Sequence, residues 1–302
     1  MTLPAFEVLQ PESLQEALAV LAANPRVHPV CGGTNLIVDV RAGKIHPETV
    51  VDLSRLDALR GITVSEDEIR IGAATPIAEI ERNQTIRRCV PLLAACCKTF
   101  ANTLIRNRAT IGGNLVNAAP CADTAPALLV LDAQVELTSA SGARWVPLEE
   151  FLVGAFQTTR RSDELLTTVR FPLPPANALG GFRKMGLRKI SCMAKVDVAV
   201  YLELDDNGVC RKAHIALGAA APVALRAEEA EEALKGQLLT AEAAVPAKQG
   251  LTGEPLVQKT IEEAARLTAE STLPRAGSEY KRQVVYGLTR RILTACAKGG
   301  NR

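Results

Sequence analysis

The sequence predicts an α+β protein of two domains, a mixed domain over residues 1–176 and a smaller domain of antiparallel sheet plus helices over 177–302. Three observations carry that prediction. Residues 195–204 alternate Val196, Val198, Val200, Leu202 and Leu204 with Lys195, Asp197, Ala199, Tyr201 and Glu203, the period of a strand with one buried face. Pro172-Leu-Pro-Pro175, followed by Ala-Asn-Ala-Leu-Gly-Gly, is the strongest break in the chain and reads as a linker. Before that break short strands and helices interleave, whereas after it a sheet comes first and helices follow.

Taken in order, the first helix opens at Ser13-Leu-Gln-Glu16, a capping box in which the hydroxyl and the carboxylate each satisfy a backbone N–H of the first turn. Leu14, Ala17, Leu18 and Leu21 then share one face until Asn24-Pro25 ends the helix. A short buried strand over Val27–Cys31 runs into Gly32-Gly33-Thr34-Asn35, and Leu36, Ile37, Val38 and Val40 begin a short helix. Val50–Leu53 and Glu68–Ala73 are further strands. Thr75-Pro76 reads as an N-cap followed by proline in the first turn of a helix over Ile77–Arg82. A longer helix, Pro91–Phe100, delivers the chain into Ile105–Asp123. Asp123 or Thr124 then caps a helix through Leu131. Strands are expected at Gln134–Thr138, Arg144–Leu148 and Glu164–Phe171, with Gly142 turning the hairpin between the first two. Beyond the linker, Asp205-Asp206-Asn207-Gly208 turns the alternating strand back through Val209–Gly218. Helices follow near Ala227–Lys235, Ile261–Glu270 and Ser278–Ala297.

At 47% hydrophobic and 23% charged residues the composition is that of a globular chain. A formal net charge of +2, with Lys and Arg interspersed among acids, gives no electrostatic case for nucleic acid. The opening MTLPAFEVLQPES lacks the basic start and apolar run of a signal peptide, and no stretch reaches the roughly 20 apolar residues of a membrane span, so a soluble cytoplasmic protein is expected. The eight cysteines, Cys31, Cys89, Cys96, Cys97, Cys121, Cys192, Cys210 and Cys296, form no Cys-x-x-Cys pair and read as small buried hydrophobes. His28, His46 and His214 lie far apart and offer no ligand spacing. No metal ligand is assigned.

Two stretches depart from this texture. Ile105–Asp123, IRNRATIGGNLVNAAPCAD, never settles into an apolar period and is flanked by apolar runs, the setting of a binding loop on a packed scaffold. Gly112-Gly113 can take left-handed dihedrals there, and successive peptide N–H groups in such a turn converge on an anion. The second stretch, Gly32-Gly33-Thr34-Asn35 between a strand and a helix, can aim N–H groups at a phosphate in the same way. It is neither a Walker loop nor a Gly-x-Gly-x-x-Gly fingerprint.

Cys-Gly-Gly-Thr-Asn-Leu at 31–36 and Ala-Thr-Ile-Gly-Gly-Asn-Leu at 109–115, with Asp123 downstream, resemble the two flavin-binding loops of the FAD-binding (medium) subunits of molybdenum hydroxylases, the xanthine dehydrogenase and carbon monoxide dehydrogenase family. The resemblance extends to Pro-x-Ser-Leu-x-Glu-Ala at the start, Val-Asp-Leu-Ser at 51–54, Ile-Arg-Asn at 105–107 and Glu-Tyr-Lys-Arg at 279–282. It implies an N-terminal FAD domain of the vanillyl-alcohol-oxidase type, with subdomains of about 1–56 and 57–176, and a C-terminal domain of the carbon monoxide dehydrogenase flavoprotein type.

Carried over residue by residue, the resemblance implies that Val30, Cys31, Gly32, Gly33, Thr34, Asn35 and Leu36 wrap the pyrophosphate and ribitol of FAD. Thr110, Ile111, Gly112, Gly113 and Asn114 would form a second clamp. Asp123 would hydrogen-bond the polyol or ribose portion, Phe100 would lie against the adenine, and Leu166 and Lys184 would line the adenine and flavin ends. The implied role is an electron-transfer subunit of a heterotrimer, with a large molybdopterin-binding subunit, a small [2Fe-2S] subunit, and NAD or another acceptor. No catalytic side chain is assigned to this chain. The alternative is a stand-alone flavoprotein oxidase with its own substrate site. Met193, beside Cys192, stands where the carbon monoxide enzyme has a flavin-shielding tyrosine, so the Lys189–Lys195 loop is expected to cover the flavin differently.

Overall fold

A computed structural model describes residues 4–188, 191–240, 253–272 and 278–299. Lys189 and Ile190, part of the expected flavin-covering loop, lie outside the described residues. The backbone gathers into two compact units. The first comprises the chain up to Ile80 together with Ala101–Ala119 and Asp132–Leu173; the second comprises Glu81–Phe100, Pro120–Leu131 and the chain from Pro174 onward.

The first unit holds two main sheets. Glu7–Leu9, Thr49–Asp52 and His28–Val30 make a parallel three-stranded sheet with Thr49–Asp52 in the centre. Helix Leu14–Ala23 buries Ala17, Leu18 and Leu21 in a cluster with Val27, Val51 and Leu53. Ser13 Oγ accepts from Glu16 N at 3.1 Å, as the capping box requires, but the Glu16 carboxylate takes the N–H of Glu12 at 2.7 Å rather than that of Ser13. The box is therefore half formed. Five antiparallel strands, in the order Ile62–Val64, Glu68–Gly72, Leu165–Pro172, Gln134–Ser139 and Gly142–Pro147, build the second sheet. Ile69, Ile71, Val135, Leu137, Val169 and Phe171 supply its core face. On the other face the Arg170 guanidinium lies 3.9 Å from the Trp145 ring centre and donates to Gln134 Oε1. The pairing of Leu165–Pro172 with Gln134–Ser139 shifts register between Leu166 and Thr168.

The second unit is organised on an antiparallel sheet of Leu179–Gly186, Ala194–Leu204, Cys210–Gly218 and Leu225–Arg226. Val196, Val198, Val200, Leu202, Ile215 and Leu217 pack against helices Glu228–Leu234, Gly253–Glu270 and Ser278–Ala297. The sequence alternation predicts a strand open to water on one side, and this expectation fails. Asp197 and Ala199 are 0% exposed and Tyr201 5%, because helices Pro91–Thr99 and Thr124–Leu129 pack on that side of the sheet. The linker reading of 176–181 is corrected too. A strand begins at Leu179, and a Cβ on Gly180 would stand 2.6 Å from the Val200 carbonyl oxygen, so that glycine serves close packing. At the hairpin Asp205 Oδ1 accepts from the N–H groups of Asn207 and Val209, each at 2.9 Å.

Two expected caps do other work. The Thr75 hydroxyl accepts from Gly61 N at 2.9 Å and donates to Gly61 O at 3.1 Å, tying strand entry to helix entry. Asp123 stands at the N-cap of Thr124–Leu129 with helical dihedrals and makes no capping bond. Short helices run into the stretch expected to be a loop, at Thr103–Arg106, and lie within it, at Ile111–Asn117.

Glu164, 1% exposed, closes the Thr158–Glu164 turn. Its carboxylate accepts from Arg144 Nε at 2.7 Å and Nη2 at 3.0 Å and from the Arg161 N–H at 2.8 Å. The hydrogen bonds from Arg144 hold it below the usual carboxylate range. A depressed native pKa contributes stability that is complete above the unfolded pKa and disappears as pH falls through the native one. Glu164→Gln is therefore expected to cost about 1–3 kcal/mol at pH 7. It should also flatten the acid limb of a urea-unfolding stability profile taken down to low pH.

Candidate functional site

The two glycine stretches, some eighty residues apart in sequence, meet in the first unit. A Cβ on Gly32 would stand 2.0 Å from the Arg108 carbonyl oxygen, so the backbone of the first loop rests on the residues that lead into the second. The second loop is fastened in turn to the segment after Glu68–Gly72. Ile111 N donates to Thr75 O at 3.2 Å, Gly112 N to Ala73 O at 2.9 Å, and Ile77 N to Ala109 O at 2.9 Å. A Cβ on Gly112 would come within 2.6 Å of the Ala73 Cβ. The sequence expectation of left-handed dihedrals at Gly112-Gly113 is thus corrected. Neither residue has positive φ; they occupy the helix Ile111–Asn117, capped by Thr110 Oγ1 accepting from Gly113 N at 3.1 Å. Gly33 is the glycine that takes a left-handed turn, with φ +67°.

This arrangement divides the backbone donors between the loops. In the second loop the N–H groups of Ile111, Gly112, Gly113 and Asn114 are all spent on Thr75, Ala73, Thr110 Oγ1 and Thr110 O. In the first loop the N–H groups of Gly32, Gly33, Thr34, Asn35 and Leu36 find no partner among the described residues. Five consecutive unpaired donors around a left-handed glycine form the kind of concavity that binds an anion. Asn35 makes no side-chain cap on the short helix Leu36–Arg41, which leaves that helix start open as well.

A cavity of about 670 Å³ opens beside this junction. Of the predicted residues, Val30, Cys31, Thr110, Gly112, Gly113 and Leu166 line it. Gly32 to Leu36 follow Cys31 out of the wall, while Ile111, 0% exposed, and Asn114 do not line it. Burial, and next the Asp52 charge, push the Cys31 thiol up, so it stays protonated and adds no negative charge to the wall. Sequence reasoning missed several wall residues. His28 presents a buried Nδ1 with no partner among the described residues. Phe156 is 67% exposed and holds φ +60°, a strained conformation for an aromatic residue, secured by its N–H donating to Ala118 O at 2.8 Å. Lys44 pairs with Asp39 at 3.1 Å, and Arg160 completes the charged set. The aromatic in the tight turn between Leu152–Gly154 and Gln157–Thr158 was the available signal, but each strand is too short to show a period.

Phe100, Asp123 and Lys184 belong to the second unit, which gathers them. Lys184 Nζ donates to Asp123 Oδ2 at 2.5 Å and to the Thr99 carbonyl at 3.4 Å, next to Phe100. Both partners of this ion pair are about 95% buried. Desolvation raises Asp123 above the usual carboxylate range against the pull of Lys184. Asp197 is raised much further, by complete burial and then by the Asp123 charge. One lysine cannot balance two buried carboxylates, so Asp123 carries the charge and Asp197 the proton. The protonated Asp197 carboxyl donates to the Asp123 carboxylate and accepts from the Gly218 N–H, which joins the two acids in one buried group.

Among the described residues no three His, Cys, Asp or Glu come together as a metal-holding group, and no helix is long and apolar enough to cross a membrane.

Residues 4–174 match the family described as the FAD binding domain in molybdopterin dehydrogenase, and residues 180–247 match the CO dehydrogenase flavoprotein C-terminal domain. The chain is 30% identical over 296 residues to the xanthine dehydrogenase FAD-binding subunit of Escherichia coli O157:H7, covering 95% of each protein. Among solved structures it superimposes on a chain of carbon monoxide dehydrogenase from Hydrogenophaga pseudoflava with a TM-score of 0.88, 27% identity and 99% coverage of both chains. A chain of quinoline 2-oxidoreductase from Pseudomonas putida 86 gives 0.87 at 28% identity, covering 100% of both.

Two outcomes follow from the geometry. Gly112→Ala should cost about 1–3 kcal/mol by overpacking against Ala73, whereas Gly113→Ala should change stability by less than about 1 kcal/mol; urea unfolding of the two variants side by side decides it. Asp197 retains its proton in the native state over a pH range where the unfolded carboxyl has lost it. Wild-type stability should therefore decline as pH rises above the ordinary carboxylate value. Asp197→Asn should lessen that decline, with the remainder coming from the raised Asp123 carboxyl. An equally steep decline in the variant would show that Asp197 is ionised when buried.

Proposed function

Because the chain belongs to the family of FAD-binding subunits of molybdenum hydroxylases, we propose that it takes electrons from the [2Fe-2S] clusters of a small partner subunit onto FAD, beside a large molybdopterin-binding subunit, and passes them to NAD⁺ or another acceptor. The family makes it an oxidoreductase subunit and an FAD protein. The single observation that carries the placement of the cofactor is the run of five unpaired N–H donors at Gly32–Leu36 beside the cavity.

The residues fit such a group. Backbone donors of Gly32–Leu36 suit a pyrophosphate, since they are oriented by the fold and do not titrate. The second loop contributes shape rather than donors: Gly112 and Gly113 present bare backbone to the cavity, and Thr110 and Leu166 close its wall. The Asp123 carboxylate, held in place by Lys184 and beside Asp197, is the acceptor proposed for a hydroxyl of the cofactor's polyol or ribose portion. Phe100, 9% exposed beside that pair, offers an apolar surface to the adenine. Bound FAD supplies the exchange between one-electron and two-electron transfer, and these residues orient it and keep water from it. No side-chain acid or base is required of this chain.

The family matches, ending at 174 and resuming at 180, support a domain division at 176/177, which we propose together with subdomains of about 1–56 and 57–176. Eight free cysteines support a cytoplasmic location.

The purified chain, or the complex that contains it, should be yellow, with flavin absorption bands and FAD released in equimolar amount on denaturation. Iron and molybdenum should copurify with two further polypeptides. A colourless preparation that takes up no added FAD would sink the proposal, and a yellow chain that turns over substrate without partners would point to a stand-alone oxidase.

A further inference from the structure

The charged side chains of the cavity wall do not cancel. We propose that Arg160 supplies the side-chain cation for the diphosphate of bound FAD, through the edge formed by its Nε and Nη2; this rests on the reading of the cavity as the FAD site. Nη1 is already committed, donating to the carbonyls of Arg161 at 2.9 Å and Glu164 at 2.7 Å, so the guanidinium plane is set before a ligand arrives. Among the described residues nothing accepts from Nε or Nη2. That free edge is the parallel donor pair that matches two oxygens of a phosphate.

The carboxylates around it are taken. Glu164 accepts from Arg144 and from the Arg161 backbone, Asp163 pairs with Arg161 at 3.7 Å, and Asp39, in the same wall, pairs with Lys44 at 3.1 Å. With Asp39 and Lys44 offsetting each other, Arg160 leaves the wall with an excess positive charge. Burial strips water from its guanidinium and lowers its pKa, against the weaker pull of the Glu164 and Asp163 charges, which are shared with Arg144 and Arg161. Arginine stays protonated, so part of its charge is left for an anion to balance. The diphosphate is the part of FAD that carries negative charge, and riboflavin lacks it.

Flavin affinity of the full chain, read by quenching of flavin fluorescence, tests this with FAD and riboflavin as probes and NAD⁺ as competitor. Arg160→Leu should weaken FAD by about 10- to 100-fold and leave riboflavin unchanged. Arg160→Lys should recover part of the loss, because lysine restores the charge without the fork. Equal FAD affinity in wild type and Arg160→Leu overturns the proposal while the FAD reading stands. So does an equal loss for FAD and riboflavin, which would mark Arg160 as packing. A variant that keeps its FAD affinity but loses competition by NAD⁺ assigns the edge to another dinucleotide and also overturns it. A wild-type chain that takes up no FAD overturns both readings.

Discussion

Backbone approaching backbone, at two points where a Cβ is missing, sets the geometry of the first unit. Gly32 rests on the Arg108 carbonyl and Gly112 on Ala73. Once those contacts are made, the hydrogen bonds around them have little choice. Residues 73–77 receive or donate the bonds from Ala109, Ile111 and Gly112, and the Thr75 hydroxyl fastens Gly61 to the same segment. A methyl group at either glycine would push apart segments that share those bonds, so the cost would spread beyond the local clash. The same contacts explain why the loops divide their work. The second loop spends its donors on the scaffold, and only the first still has donors to offer.

The two units handle buried charge in opposite ways. In the second, Lys184 and Asp123 form an ion pair almost closed to solvent, and Asp197 stands beside them with no cation of its own. Such a pair gains little net stability from burial, but removing one member leaves an uncompensated charge. A proton on Asp197 resolves the imbalance, and Gly218 gives that carboxyl room, since a Cβ there would stand 2.0 Å from Asp197 Oδ1. In the first unit the imbalance lies in Arg160, and arginine cannot shed its proton. A protonated carboxyl ends the need for a partner; a guanidinium preserves it.

Much of this was legible in the sequence where a residue acts through its own backbone. The Asn24-Pro25 stop, the Asp205–Gly208 turn, the strand-to-loop passage at Val30–Gly33 and most strand and helix positions follow from local rules. Where a residue acts through a distant neighbour, local rules failed. Gly112 and Gly180 looked like freedom to turn and are there for contact with Ala73 and Val200. Thr75 and Asp123 looked like caps, yet their oxygens were claimed by Gly61 and Lys184. The alternation through Lys195–Leu204 predicts one wet face, but two helices from earlier in the chain cover it, which no period within the strand reveals.

The stretch Arg160-Arg161-Ser162-Asp163-Glu164 shows that limit most sharply. In sequence it is two cations followed by two anions, and simple pairing leaves no charge over. Folding brings in a third arginine, Arg144, from a neighbouring strand, and its bidentate bond occupies the Glu164 carboxylate. Arg161 settles on Asp163 and on what remains of Glu164. Arg160 is left with hydrogen bonds to two carbonyls and only a share of the Glu164 and Asp163 charges. A charge balanced only in part is unfavourable for folding alone and becomes favourable when an anion is bound. The peptide donors of Gly32–Leu36 carry partial charges only, so they can shape a diphosphate site but cannot balance its full charge. A complete cation in the wall from which that backbone run departs at Cys31 supplies what the backbone lacks.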